Sequence, residues 1–204
     1  MKKNECDPKQ LQELLCQTLE VEQGGVQVYE MAISCAVNDD LRREWQEYLD
    51  ETRRHVEVAT GLLQQFGIDP GTMTPGRQVQ RHLGQALVQA MQMAKEAGDP
   101  AGAELVACEC VVLAETKDHT DWELIGHLAK HGKGAGIDAL MAAHEAVEED
   151  EDHHLYHTKG WCRELWIQSL GLPAVLPPPE EVKQVETAIG AARAEQARDS
   201  MPKQ

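Results

Sequence analysis

Residues 49–57 read Leu49-Asp50-Glu51-Thr52-Arg53-Arg54-His55-Val56-Glu57. Around them Trp45, Tyr48, Thr52, His55, Ala59, Leu62 and Phe66 recur at intervals of three and four, the spacing of one helical face. Glu51 falls in the same arc as His55, one turn before it. An imidazole and a carboxylate on an apolar stripe predict a helix that carries chemistry into a packed interior. Carboxylates are rarely left inside a bundle unless something positive compensates them.

The pattern recurs near the other end. Residues 148–154 read Glu148-Glu149-Asp150-Glu151-Asp152-His153-His154, within a predicted helix over 137–170. Its inward stripe is Leu140, His144, Val147, Glu151, His154, Thr158, Trp161 and Leu165, and Asp150 sits four residues before His154. Glu148, Glu149 and Asp152 read as a solvated acidic face, and His153 and His157 as exposed. Two more helices carry a glutamate on their stripes. Over residues 8–37 the stripe is Leu11, Leu15, Thr18, Glu22, Val26, Tyr29, Ile33 and Ala36. Over 101–130 it is Leu105, Cys108, Val112, Glu115, His119, Trp122 and Leu128. Glu51, beside Arg53 and Arg54, reads equally as a ligand and as a surface charge.

The connections complete an all-α bundle. Asn38-Asp39-Asp40, with Asp40 as N-cap, makes a turn short enough to force the first two helices antiparallel. A Gly- and Pro-rich break at 67–76 leads to a third amphipathic stretch, 77–97, with Val79, Leu83, Leu87, Met91 and Ala94. It has no acidic ligand set and reads as a crossover helix. Gly24-Gly25 inside the first helix costs about 1 kcal/mol per residue against alanine and suggests close packing or a local distortion near the site. Residues 1–172 therefore form the bundle. Pro177-Pro178-Pro179 then makes an extended linker within 173–204, whose weak amphipathic segment with Val182, Val185 and Ile189 docks on the bundle, joins a homodimer or frays. A faint duplication runs through the chain: Glu115 follows Glu22 by 93 positions and His154 follows His55 by 99.

Composition narrows the function. Against 19 Lys+Arg stand 35 Asp+Glu, a formal charge of -16, which repels nucleic acid and anionic membranes. No apolar run approaches the roughly 20 residues of a spanning helix and nothing resembles a signal peptide, so a cytoplasmic location is expected. The six cysteines lack a C-x-x-C pair and read mostly as small buried hydrophobes.

Two Glu helices and two Glu–His helices point to a dinuclear site for hard, multiply charged cations, iron or manganese rather than zinc. Four convergent carboxylates would repel one another, and two divalent cations would remove that penalty and stabilise the fold. The arrangement, with its crossover between the second and third main helices, resembles the ferritin-like superfamily. Residues 49–57 are similar to the Glu-Thr-x-x-His of a bacterial, stress-associated branch, at the same distance from a first-helix glutamate as Glu22. The usual superfamily motif is Glu-x-x-His; here Thr52 stands three before His55, so Glu51 must serve from four back. The resemblance implies that Glu51 and Glu151 bridge two irons, that Glu22 and Glu115 are terminal ligands, and that His55 and His154 each hold one metal. It also implies oxidation of Fe(II) with O2 or H2O2, with Tyr29 bonding a ligand carboxylate or passing electrons. Asp150, His119 and His144 are candidate extra ligands, outer hydrogen-bond partners or channel residues. Two rival readings remain: a di-manganese, catalase-like centre, and a non-enzymatic helical bundle acting as an interaction module.

Overall fold

The computed structural model describes residues 6–203 and is all-helical, with no β-strand among the described residues. Its elements are α1 (Pro8–Cys35), α2 (Asp39–Gln65), α3 (Pro75–Glu96), α4 (Pro100–His131), α5 (Ile137–Glu145), α6 (Glu148–Ser169), α7 (Pro179–Val182) and α8 (Ala188–Ala197), with a final 3-10 turn at Arg198–Ser200. No helix among the described residues is long and apolar enough to cross a membrane.

Local chemistry sets the boundaries. Asp7 caps α1 by accepting from the Lys9 and Gln10 amides, and Asn38, not Asp40, caps α2 by accepting from Asp40 and Leu41. Asp39 and Asp40 are thereby left in the first turn, where carboxylates complement the helix dipole. The helix expected over 137–170 is two helices, broken at Ala146–Val147. The break places Glu148, Glu149, Asp150 and Glu151 in the first turn of α6, where adjacent negative charges are favoured rather than penalised.

Side-chain contacts fix the helix directions. His55 Nδ1 lies 3.8 Å from Glu22 Oε1 and the Tyr48 ring packs on Tyr29 with centroids 6.1 Å apart, so α2 runs antiparallel to α1. Glu104 accepts from the Val37 and Asn38 amides while Trp122 reaches Glu22, so α4 is antiparallel to α1. Glu44 meets Trp161 and Glu51 meets His154, so α6 is antiparallel to α2. Outside this group α3 runs parallel to α1, crossing it so closely that a Cβ on Gly84 would lie 3.6 Å from the Gly24 Cα. That contact explains one of the paired glycines. Of the expected stripe, Met91 is buried and Leu87 and Ala94 pack against the core, but Val79 and Leu83 stay about half exposed, and the polar Arg77 is buried near the start of α3. The Arg77 guanidinium donates to Glu20 at 2.7 Å and to the Thr72 carbonyl at 3.0 Å.

The apolar core is in two halves. One gathers Val28, Tyr29, Trp45, Tyr48, Cys108, Val111 and Trp161; the other gathers Leu15, Leu19, Ala59, Leu62, Trp122, Ile125 and Val147. Each of α1, α2 and α4 passes from one half to the other through a stretch of buried polar residues, and α6 opens with one.

The C-terminal segment docks on α6. The Arg163 guanidinium donates to both Glu180 oxygens at 2.7 and 2.9 Å, and Glu164 accepts from Arg198 and from the Val175 amide. The weak amphipathic segment expected there forms two short helices, α7 and α8, and buries Val185 and Ala194 while Val182 and Ile189 stay exposed. Polar pairing to α6 and the burial of Ala174, Val175, Val185 and Ala194 hold it.

Candidate metal centre

The polar layer between the core halves contains Glu22 from α1, His55 from α2, Glu115 and Asp118 from α4, and Glu151 and His154 from α6, none more than 3% exposed. His55 Nδ1 lies 3.0 Å from Glu151 Oε1 and 3.8 Å from Glu22 Oε1. His154 Nδ1 lies 3.6 Å from both Glu115 Oε2 and Glu151 Oε1. Two buried triads, His55/Glu151/His154 and Glu22/Asp118/Glu151, each bring three ligand atoms within 4.8 Å of one another and share Glu151.

The outer nitrogens face other partners. His55 Nε2 is 3.1 Å from Asp150 Oδ2, and His154 Nε2 is 2.9 Å from Glu51 Oε2. An ionised carboxylate only accepts, so each Nε2 carries the proton, and a neutral ring then presents its Nδ1 lone pair inward. Carboxylates in this outer position fix the tautomer and orientation of metal-binding histidines. Glu51 therefore stands behind His154, on the side away from the shared cluster, and Asp150 stands behind His55. Arg54 lies 3.5 Å from both carboxylates at the surface.

Six buried atoms of the layer make no hydrogen bond, the two Nδ1 atoms only lying near carboxylates: Glu22 Oε2, His55 Nδ1, Glu115 Oε2, Asp118 Oδ1, Glu151 Oε2 and His154 Nδ1. Buried polar groups are ordinarily satisfied, because each orphan costs about 1–3 kcal/mol and more when charged. Six such atoms, from four helices in one buried layer, fit the donor set of a cation site, two imidazoles and four carboxylates.

The electrostatics agree. Burial, together with Glu151, pushes the Glu22 carboxyl well up, despite the Trp122 indole donating to it at 2.7 Å. Burial and then Glu22, Glu151 and Glu115 hold Asp118 well above the carboxylate range. Burial and Glu151 also raise Glu115. Burial would raise Glu151 too, but His154 and His55 outweigh it and take the carboxyl down to about 2. Burial would lower His55, yet Asp150 and Glu151 lift it to about 9; His154 is raised in the same way by Glu115, Glu151 and Glu51. Protons thus stand where positive charge is needed. Burial and the Glu115 charge push the Tyr29 phenol well up, and its ring packs edge-on to His154 with centroids 5.9 Å apart.

His119 and His144 lie beside the layer. His119 Nε2 is 2.8 Å from Asp152 Oδ1, so Asp152 is paired rather than freely solvated. His144 is buried on α5. Both line a cavity of about 220 Å³ that reaches Glu151 and Trp122.

Sequence reasoning missed Asp118, although it stands three after Glu115 and four before Trp122, on the same arc. His157, expected to be exposed, is buried: its Nε2 faces the Val185 carbonyl at 3.1 Å, its Nδ1 lies 2.8 Å from Glu181 Oε2, and Glu44 is nearby. Nothing local in the chain signals that grouping, because Val185 and Glu181 arrive only when the C-terminal segment docks.

Searches against protein-family models, curated proteins and solved structures return no match for this chain.

Proposed function

We propose that the polar layer is a dinuclear iron centre and that the protein is an oxidoreductase acting on Fe(II), O2 or H2O2, in the manner of ferritin-like proteins. The observation that carries this reading is the set of six buried, unpartnered ligand atoms from four helices, five of whose residues form two triads sharing Glu151. Charge balance supports it: four carboxylates match two divalent cations, leaving both imidazoles neutral. The helix directions, with α3 as a crossover, also suit the resemblance read from residues 49–57.

Glu22, His55, Glu115, Asp118, Glu151 and His154 would hold the metals. Bound iron would supply the redox chemistry towards oxygen or peroxide. The chain's own residues do the rest. Trp122 orients Glu22, while Asp150 and Glu51 hold the two imidazoles in the ligating tautomer. Tyr29 keeps its proton beside Glu115, placed to hydrogen-bond a ligand carboxylate or donate a proton within the layer. The apolar halves above and below exclude water, and the cavity beside Glu151 admits only small reactants.

The test is elemental analysis by plasma mass spectrometry after reconstitution with Fe(II) or Mn(II), for wild type and Glu115→Ala. About two irons per chain, lost in the variant, are expected, followed by peroxide consumption with iron. Manganese alone would give the catalase-like reading instead. No retained metal would leave a structural bundle.

A further inference from the structure

Beside the centre, α5, α6 and the C-terminal segment enclose a second polar space. The cavity of about 220 Å³ is lined by His119, His144, Glu148 and Asp152 on its outer side and by Glu151 on its inner side. A depression of about 320 Å³ outside it shares Glu148, Asp152 and Thr187 with the cavity and adds Glu145, Glu149 and Glu186. No lysine or arginine lines either space among the described residues. A file of carboxylates therefore leads from solvent to a ligand of the proposed centre.

His144 gives this route a specific site. Its side chain is 5% exposed, yet neither ring nitrogen has a hydrogen-bond partner. Glu148 Oε2 lies 3.0 Å from Nε2, but outside hydrogen-bond geometry. The ring lies flush against Gly126 of α4, where a Cβ would come within 2.4 Å of Nε2. Burying an imidazole with both nitrogens idle is costly, and the missing Cβ at Gly126 makes the space for it. Glu148 is half exposed and stands in the first turn of α6, across the Ala146–Val147 break from His144. The break thus brings a buried nitrogen donor and a half-exposed carboxylate together at the cavity wall.

We propose that His144 and Glu148 form a separate loading site for a divalent transition-metal ion, from which the ion passes through the cavity to Glu151. The imidazole–carboxylate pair selects for transition metals over calcium and magnesium, which prefer all-oxygen ligands. His119 and Asp152, paired at 2.8 Å, line the same cavity and extend its polar wall. The negative funnel concentrates cations at the mouth. The site itself rests on His144 and Glu148; its role in transit rests on the dinuclear reading.

Two measurements on the full chain test the two parts. In an Asp118→Asn/His154→Gln background, which removes one member of each buried triad, Co(II) is titrated and followed by visible absorption. Binding of about one Co(II) per chain with imidazole ligation is expected, weakened at least tenfold by adding Glu148→Gln or His144→Gln. Titrations unchanged by Glu148→Gln, a half-exposed position that does not threaten folding, overturn the site. In the otherwise wild-type chain, stopped-flow Co(II) loading of the centre is expected to slow about tenfold in either variant, with the same final stoichiometry. Equal loading rates overturn the transit role. A wild-type chain that binds only the one Co(II) lost on Glu148→Gln overturns the centre and the transit role and leaves the site standing.

Discussion

Asp118 and Glu151 share the polar layer but stand in opposite electrostatic settings, and neutral substitutions should move stability in opposite directions. Asp118 is 3% exposed, its Oδ1 has no partner, and the charges acting on it from Glu22, Glu151, Glu115 and Asp121 are all negative. Its folded pKa lies above its unfolded one. The stability tied to its proton is therefore fully present below the unfolded value near 3.8 and is lost as pH rises through the folded value. At pH 7.5 the metal-free chain must either carry an uncompensated charge or hold a proton against the bulk. Asp118→Asn removes that cost and should stabilise the metal-free protein by about 1 kcal/mol, or about 2–4 °C in Tm for a chain of this length. Glu151 is the reverse case: its charge faces His55 and His154, and its pKa is depressed to about 2. Glu151→Gln breaks a buried pairing and should cost about 3–5 kcal/mol, a fall of roughly 6–20 °C. Both variants should lose most of the metal-induced rise, which in wild type is about 4 kcal/mol at a thousandfold excess of ion over its dissociation constant. Differential scanning calorimetry with chelator, then with Fe(II) under anaerobic conditions or with Mn(II), reads all three quantities. The reasoning fails if Asp118→Asn lowers the metal-free Tm as far as Glu151→Gln does, or if metal raises both variants as much as wild type.

Two further outcomes follow from groups outside the ligand set. Burial and the Glu181 charge raise Glu44 to about 7, despite donation from Tyr48 and Trp161 and the nearby His157. A raised carboxyl makes stability fall as pH climbs from about 4.5 through 7, by up to about 3 kcal/mol, and Glu44→Gln should flatten that part of a urea-denaturation pH profile; an unchanged slope would show that the carboxyl titrates normally. Gly126→Ala pushes a methyl into the His144 ring and should cost about 1–3 kcal/mol, read as a lower denaturation midpoint. A neutral effect would mean that the ring moves freely, contrary to its buried seat on α4.

Much of the layer was legible because helical spacing is a local rule. Glu22, His55, Glu115, Glu151 and His154 each sit on an apolar stripe, and each is buried in the shared layer. Spacing could not separate the two roles a carboxylate can take around an imidazole. Glu51 and Asp150 share an arc with the histidines, yet both face Nε2 from outside, because which nitrogen a carboxylate reaches depends on the neighbouring helix. Asp118 was within reach of the same rule and was passed over for His119, its neighbour in sequence.

Sequence alone determined the all-helical class, the order of the main helices and the identity of most residues in the layer, since periodicity, caps and breakers act over one or two turns. Tertiary structure alone decided the rest. It split the final long helix so that four acidic residues open α6, left Val79 and Leu83 half exposed on α3, and brought Glu181 and Val185 to His157 through the docked C-terminal segment. It also set which atoms in the layer are left without partners. These depend on where separate segments meet in space, and long-range packing energies, which no local spacing rule encodes, select among the arrangements that the stripes permit.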